Sequence, residues 1–164
     1  MGLIAAEAFK RVLPLYVVVR AGNDELKNLY EAAGFEVIVA EHAERGMGNS
    51  LSAGLQRVSA TDNTGCLVGL ADMPLVQEET LRLLCSKLQA GSEIVRPIYQ
   101  GEFGQPVGFT RAHFVNLIGL NEDKGARDYL EQHAQLIDYV EVSDAGVVTD
   151  IDTPQDLAKI SDTT

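Results

Sequence analysis

The chain has 164 residues, the length of one ordinary domain, and its 46% hydrophobic content is enough to bury a single sizeable core without disulfide or metal staples. Thirteen basic against twenty-four acidic side chains give a net charge of −11, which repels a polyanionic backbone and argues against nucleic acid as a partner. Small anionic ligands stay open, because a helix N-terminus or a bound cation reverses the local potential. Cys66 and Cys85 each sit in an apolar run, which fits reduced thiols better than a disulfide framework. No segment approaches the roughly 20 apolar residues that cross a bilayer, and no basic N-terminal leader precedes a long apolar run. A cytoplasmic protein that does not touch the membrane is therefore expected.

Short β-branched runs alternate with segments of helical period, the pattern of βαβ units around a mostly parallel sheet. Leu3 to Leu13 reads as a helix and Leu15 to Arg20 as the first strand. Asp24 is expected to cap a helix through Ala33, ended by Gly34, before a strand from Phe35 to Ala40. After the glycine-bearing loop ERGMG, a helix is expected from about Asn49 to Val58. Gly65 to Leu70 (GCLVGL) then reads as a central strand buried on both faces. A helix from about Glu78 to Ala90 is stopped by Gly91, with Leu81, Leu84, Cys85 and Leu88 on one face. Ile94 to Tyr99 and Val107 to Thr110 flank QGEFGQP as an antiparallel hairpin, where the parallel pattern breaks. Two short helices, Ala112 to Leu120 and Gly125 to His133, lead to a strand near Ile137 to Val142. A final helix opens with Thr153 as N-cap, Pro154 in the first turn and Asp156 at N3. The expected fold class is α/β, a Rossmann-like mostly parallel sheet with helices on both faces plus a small antiparallel hairpin. Residues 1–164 read as one domain, without repeats or linkers.

In open α/β sheets ligands lie outside the carboxyl ends of the strands, so polar residues just after each strand are the first candidates. Asp72 is one, following the most apolar strand and preceding Met73-Pro74; capping of the next helix is the other reading of it. Asp150 and Asp152 alternate with Ile151, so both carboxylates face one side of an extended segment. A favourable interaction with the helix dipole also accounts for them. The same DxDxT letters are similar to the nucleophile loop of haloacid-dehalogenase-type phosphatases, but too few residues follow Asp152 for the rest of such a domain. Gly46 and Gly48 lead into a helix whose first turn carries Asn49, Ser50 and Ser52, where free amides suit an anion or a base edge; a serine-capped turn is the alternative. In Gly101 to Gly108, Gln105 beside Pro106 is in reach of a ligand over the sheet edge, or the glycines simply make a hairpin. His42, His113 and His133 have no metal-ligand spacing, and Lys124 and Arg127 read as solvated helix positions.

Taken in order, these signals resemble the molybdenum-cofactor nucleotidyltransferases, the MobA-like NTP transferases, and within them the cytidylyltransferase branch. The resemblance rests on GMGNSLSAGL entering a helix and on LADMPL at Leu70 to Leu75. It continues with the hairpin letters Pro97, Tyr99, Gly101, Gly104, Pro106, Val107 and Phe109, the helix start at Asp123 to Arg127, and DIDTPQDL from Asp150 to Leu157. It covers about Leu15 to Ile160. Two departures stand out. The branch usually has histidine where Gln105 stands. It also begins with a strand and a loop of the type L-A-A-G-x-S-x-R-M-G that cradles a triphosphate, and the sequence here lacks that loop. An N-terminally truncated domain is the expectation, short by one βα unit of on the order of 30 residues.

The resemblance implies a nucleotide-diphospho-sugar transferase-like fold and attack by a phosphorylated pterin on the α-phosphate of CTP, releasing pyrophosphate. It implies Mg2+ held by Asp72 and Asp152, with Asp150 as a weaker third, and both aspartates acting in catalysis. Asn49, Ser50 and Ser52 would contact the nucleotide, and Gly104, Gln105 and Pro106 a molybdopterin-type substrate. Two other readings stay open: a catalytically inactive nucleotide-binding or interaction domain, and a nucleotidyltransferase using GTP or a sugar phosphate. The missing strand also predicts a homo-oligomer or marginal stability.

Overall fold

The computed structural model describes residues 1–120, 125–153, 155, 156 and 158. Helix α1 (Gly2–Lys10) precedes β1 (Tyr16–Arg20), α2 (Asp24–Ala32), β2 (Glu36–Ala40), α3 (Met47–Ser59) and β3 (Gly65–Val68). Then follow α4 (Glu78–Gln89), β4 (Ile94–Tyr99), β5 (Glu102–Phe103), β6 (Val107–Thr110), α5 (Phe114–Ile118), α6 (Arg127–Gln132) and β7 (Ile137–Glu141). The alternation read from the sequence is present from α1 to β7, while the expected final helix falls largely outside the described residues. Lys124 and Asp123 of the expected helix start, and Pro154 and Leu157 of the closing motif, lie outside the described residues.

Boundaries shift where caps decide them. Asn23, not Asp24, caps α2: its Oδ1 accepts the Leu26 amide at 3.2 Å, leaving Asp24 and Glu25 in the first turn, where their charge suits the helix dipole. Helix α3 starts at Met47, two residues earlier than expected, because Gly46 at φ +120° turns the chain there, and no side chain caps it. Between β4 and β5, Gln100 (φ 49°) and Gly101 (φ 84°) form the two-residue left-handed turn that matches strand twist in a tight hairpin.

Strands β1 and β2 pair in parallel as a two-stranded sheet, and the other five form a mixed sheet. There β3 runs antiparallel to β6, β6 antiparallel to β4, and β4 parallel to β7, so β3, β4 and β7 all point the same way. The expectation that Gly65 to Leu70 forms a central strand is corrected: among the described residues β3 pairs only with β6 and ends the sheet. Its apolar sequence has a cause even so, since both faces are covered. Cys66 and Val68 pack on the Leu55, Phe109 and Leu130 cluster, and Leu67 packs on the Phe9 and Leu81 cluster. What β3 lacks is a neighbour on its second edge. That edge and β1 both line a largely apolar, partly open cavity of about 610 Å³, flanked by α1 and α3. No backbone hydrogen bond joins β1 to β3 among the described residues.

Candidate functional site

Because β3, β4 and β7 run in one direction, their carboxyl ends share one edge of the sheet, and the candidate residues gather there. Asp72 follows β3 in a turn closed by Met73 N–H on the Leu70 carbonyl at 3.3 Å. Its own carbonyl accepts the Ile151 N–H at 2.7 Å, which lays the 150–152 segment against the Asp72 turn. Ile151 is fully buried, and the flanking Asp150 and Asp152 are exposed, so the alternation expected from the sequence holds. Asp72 Oδ1 is buried and has no hydrogen-bond partner. A buried carboxylate oxygen left bare costs free energy unless a donor or a cation meets it, so this atom fits a metal ligand. Among the described residues no group of three or more histidine, cysteine, aspartate and glutamate side chains forms a cage. A site with one or two carboxylates suits Mg2+, which keeps waters and phosphate oxygens as its other ligands.

An aspartate that sequence reasoning missed holds this edge together. Asp144, buried after β7, accepts three hydrogen bonds: Gln77 N–H at 2.9 Å, Thr80 Oγ1–H at 2.8 Å and Gly146 N–H at 2.9 Å. It ties the chain leading to Asp150 and Asp152 onto the N-terminus of α4, which follows Asp72. Gly146 sits so close that a Cβ there would lie 2.2 Å from the Leu75 carbonyl oxygen. The only sequence signal was an aspartate two residues before a glycine, an ordinary turn pattern.

The hairpin side is fixed by similar contacts. Gln105 N–H donates to the Val147 carbonyl at 2.8 Å, and the Gln105–Pro106 bond is cis. A Cβ on Gly104 would lie 2.7 Å from the same carbonyl oxygen, so only glycine lets the hairpin approach this closely. Gly104 and Pro106 are buried, while Gln105 lines the cavity.

On α3 the expected nucleotide contacts diverge. Ser50 lines the cavity. Ser52 is buried on another side, its hydroxyl donating to the Ile118 carbonyl at 2.7 Å and accepting from Gln56 Nε2 at 3.3 Å. Asn49 Nδ2, in the first turn of the same helix, is buried and without a hydrogen-bond partner. Arg127 pairs with Glu131 at 3.2 Å on the exposed face of α6, in keeping with a solvated helix position. His113, itself buried, binds Tyr129 Oη at 2.6 Å in the core and the exposed Glu93 at 3.0 Å. Burial pushes the Cys66 thiol up to about 12 and raises that of Cys85, so neither is a nucleophile near neutral pH. Both cysteines are free, and no helix among the described residues is long and apolar enough to cross a membrane.

The mixed α/β fold is shared with solved nucleotidyltransferases. A Methanothermobacter nucleotidyl transferase superposes with a TM-score of 0.72 at 18% identity, covering 97% of this chain and 79% of that one. Rv0371C from Mycobacterium tuberculosis H37Rv, solved in complex with manganese, gives 0.80 at 24% identity, covering 99% of this chain and 86% of its own. The class is thus that of the nucleotidyltransferase fold. Within it, the family model for the MobA-like NTP transferase domain matches residues 3–136, and the chain belongs to that family. Purine catabolism protein PucB of Bacillus subtilis (strain 168) is 31% identical over 119 residues, 72% of this chain; the match spans 57% of PucB's length.

Proposed function

We propose that this chain, acting as one domain over residues 1–164, transfers a cytidylyl group from CTP to a phosphorylated, molybdopterin-type acceptor. An acceptor phosphate oxygen bonds to the α-phosphorus, the bond from that phosphorus to the bridging oxygen breaks, and pyrophosphate leaves with the electron pair. Asp72 and Asp152 would hold Mg2+, which supplies neutralisation of the charge on the phosphates. The chain's own residues position the reactants. Ser50 serves the nucleotide side, with Asn49 beside it in the first turn of the same helix, and Gln105, between Gly104 and Pro106, serves the acceptor side. No covalent enzyme intermediate is needed.

The observation that carries this reading is the 2.7 Å bond from Ile151 N–H to the Asp72 carbonyl, beside the bare Asp72 Oδ1. Manganese in the Rv0371C crystal favours a divalent ion in that relative. Calorimetric titration with CTP and GTP, with and without Mg2+, tests the proposal: CTP should bind more tightly, and only with the metal. Tighter GTP binding would move the assignment to a guanylyl donor. A second reading, nucleotide binding without transfer, is favoured by the cavity between β1 and β3. Tight Mg2+-dependent CTP binding with no pyrophosphate release would select it.

A further inference from the structure

We propose that Arg96 is the contact for an anionic group on the acceptor, with Phe103 as the residue that positions its guanidinium. The inference rests on the nucleotidyl-transfer reading above and adds the residue that selects the acceptor. Arg96 of β4 lies opposite Tyr139 of β7, and Phe103 of β5 lies opposite Ile98 of β4. Side chains alternate along a strand and paired residues share a face, so Arg96, Ile98, Phe103 and Tyr139 stand on one face of the sheet. There the Phe103 and Tyr139 rings stack with centroids 5.0 Å apart and planes at 22°. The Arg96 guanidinium carbon lies 4.9 Å from the Phe103 centroid, within cation–π range.

What sets Arg96 apart is that it lacks a counter-charge among the described residues while half-buried, whereas Arg20 and Arg45, also without an ion pair there, are exposed. Arg11, Arg57, Arg82 and Arg127 pair with glutamates, and Arg111 donates to three main-chain carbonyls. Arg96, half-buried, makes one long hydrogen bond among the described residues, from Nε to the Gly104 carbonyl at 3.3 Å. Four of its five donors are left for a ligand. Burial lowers its pKa without neutralising it, and a desolvated cation gains most from an anion arriving in fork geometry. Arg96 also shares the wall of the cavity with Gln105, and the carbonyl it touches belongs to the segment assigned to the acceptor. The rings beside it are unusually open for apolar side chains, Phe103 at 57% and Tyr139 at 38% exposure. A planar heteroaromatic ring carrying a phosphate or carboxylate matches this pairing of π surface and guanidinium.

The test is a fluorescence titration of the full chain with pterin-6-carboxylate and with neutral 6-hydroxymethylpterin. The wild type should bind the anionic probe roughly tenfold or more tightly than the neutral one, as expected for a charge-assisted hydrogen bond. Arg96→Gln should erase that preference, and Arg96→Lys should keep part of it, since lysine retains the charge without the fork. Phe103→Leu should weaken the anionic probe more than the neutral one, whereas a merely structural role would weaken both alike. Circular dichroism establishes that each variant is folded. Equal affinity for the two probes in the wild type, binding of neither included, overturns the proposal, as does an intact preference in Arg96→Gln. A preference that depends on Arg96 in a chain that binds no CTP with Mg2+ supports the arginine's role and sinks the transfer reading. Mg2+-dependent CTP binding without probe discrimination does the reverse.

Discussion

The main-chain N–H of Ile151 and the carbonyl of Asp72 meet at 2.7 Å, so two segments far apart in sequence share one sheet edge through backbone rather than side chains. The contact therefore survives substitution of either neighbouring carboxylate. Asp72→Asn and Asp152→Asn should leave the fold intact while weakening Mg2+-dependent CTP binding. Losing a partner that merely orients a ligand costs roughly 10- to 100-fold in metal affinity, and loss of the ligand itself should cost no less. Calorimetry with and without Mg2+ reads this directly. An Asp152→Asn protein with wild-type affinity would remove it from the metal site.

Asp144 predicts a stability effect of a different kind. Among the described residues its carboxylate is the one acceptor for Thr80 Oγ1–H and for the Gln77 and Gly146 amides, in a buried to half-buried setting. Asp144→Ala orphans all three, and about 1–3 kcal/mol for each buried group left bare sets the scale. Thr80→Val removes one donor together with its need for a partner and should cost less. Urea denaturation should give a lower midpoint with little change in slope for both, Asp144→Ala the lower; equal midpoints would mean that the clamp carries no weight.

These residues mark what the sequence made legible. Alternating hydrophobic runs gave the order of helices and strands, because each element writes its own period. Strand order is non-local, so nothing within Gly65 to Leu70 announced that β6 would pair with it and leave its other edge open. From the sequence, Ser50 and Ser52 both read as nucleotide contacts. On a helix that already begins at Met47, residues two apart point to different sides, and only Ser50 lines the cavity. Asp72 and Asp152 stood out through the order of motifs. Asp144 and Arg96 did not, since burial and the absence of a counter-charge are tertiary facts.

Stability should fall at alkaline pH through Cys66. Its folded pKa of about 12 exceeds the ordinary value of 9.0, so the unfolded chain loses the proton first. The contribution is fully present below about pH 9 and is lost as pH rises toward 12, with a slope of at most about 1.4 kcal/mol per pH unit. Tyr30 and Cys85 are also raised by burial and act in the same direction. The measurement is therefore the difference in slope between the wild type and Cys66→Ala. Identical slopes above pH 9 would show that the thiol reaches solvent in the folded state.

The open cavity sets the last prediction. Strands β1 and β3 each have one paired edge, with β2 and β6 respectively, and each turns its other edge toward the same apolar space of about 610 Å³. Unpaired amides and carbonyls beside exposed apolar surface are a template for another strand, and such edges favour association unless charge or proline blocks them. Tyr16, Val17 and Val18 on one side and Gly65 to Val68 on the other carry no charge and no proline. The polypeptide of residues 1–164 should accordingly self-associate as its concentration rises, with a melting temperature that depends on concentration. Val18→Lys introduces a charge at the cavity wall and should shift the population toward monomer, at some cost in stability. Sedimentation velocity across a concentration series checks both variants. A wild type that stays monomeric with a concentration-independent melting temperature would mean that the two edges close on each other in solution, and that the cavity between β1 and β3 is no template for association.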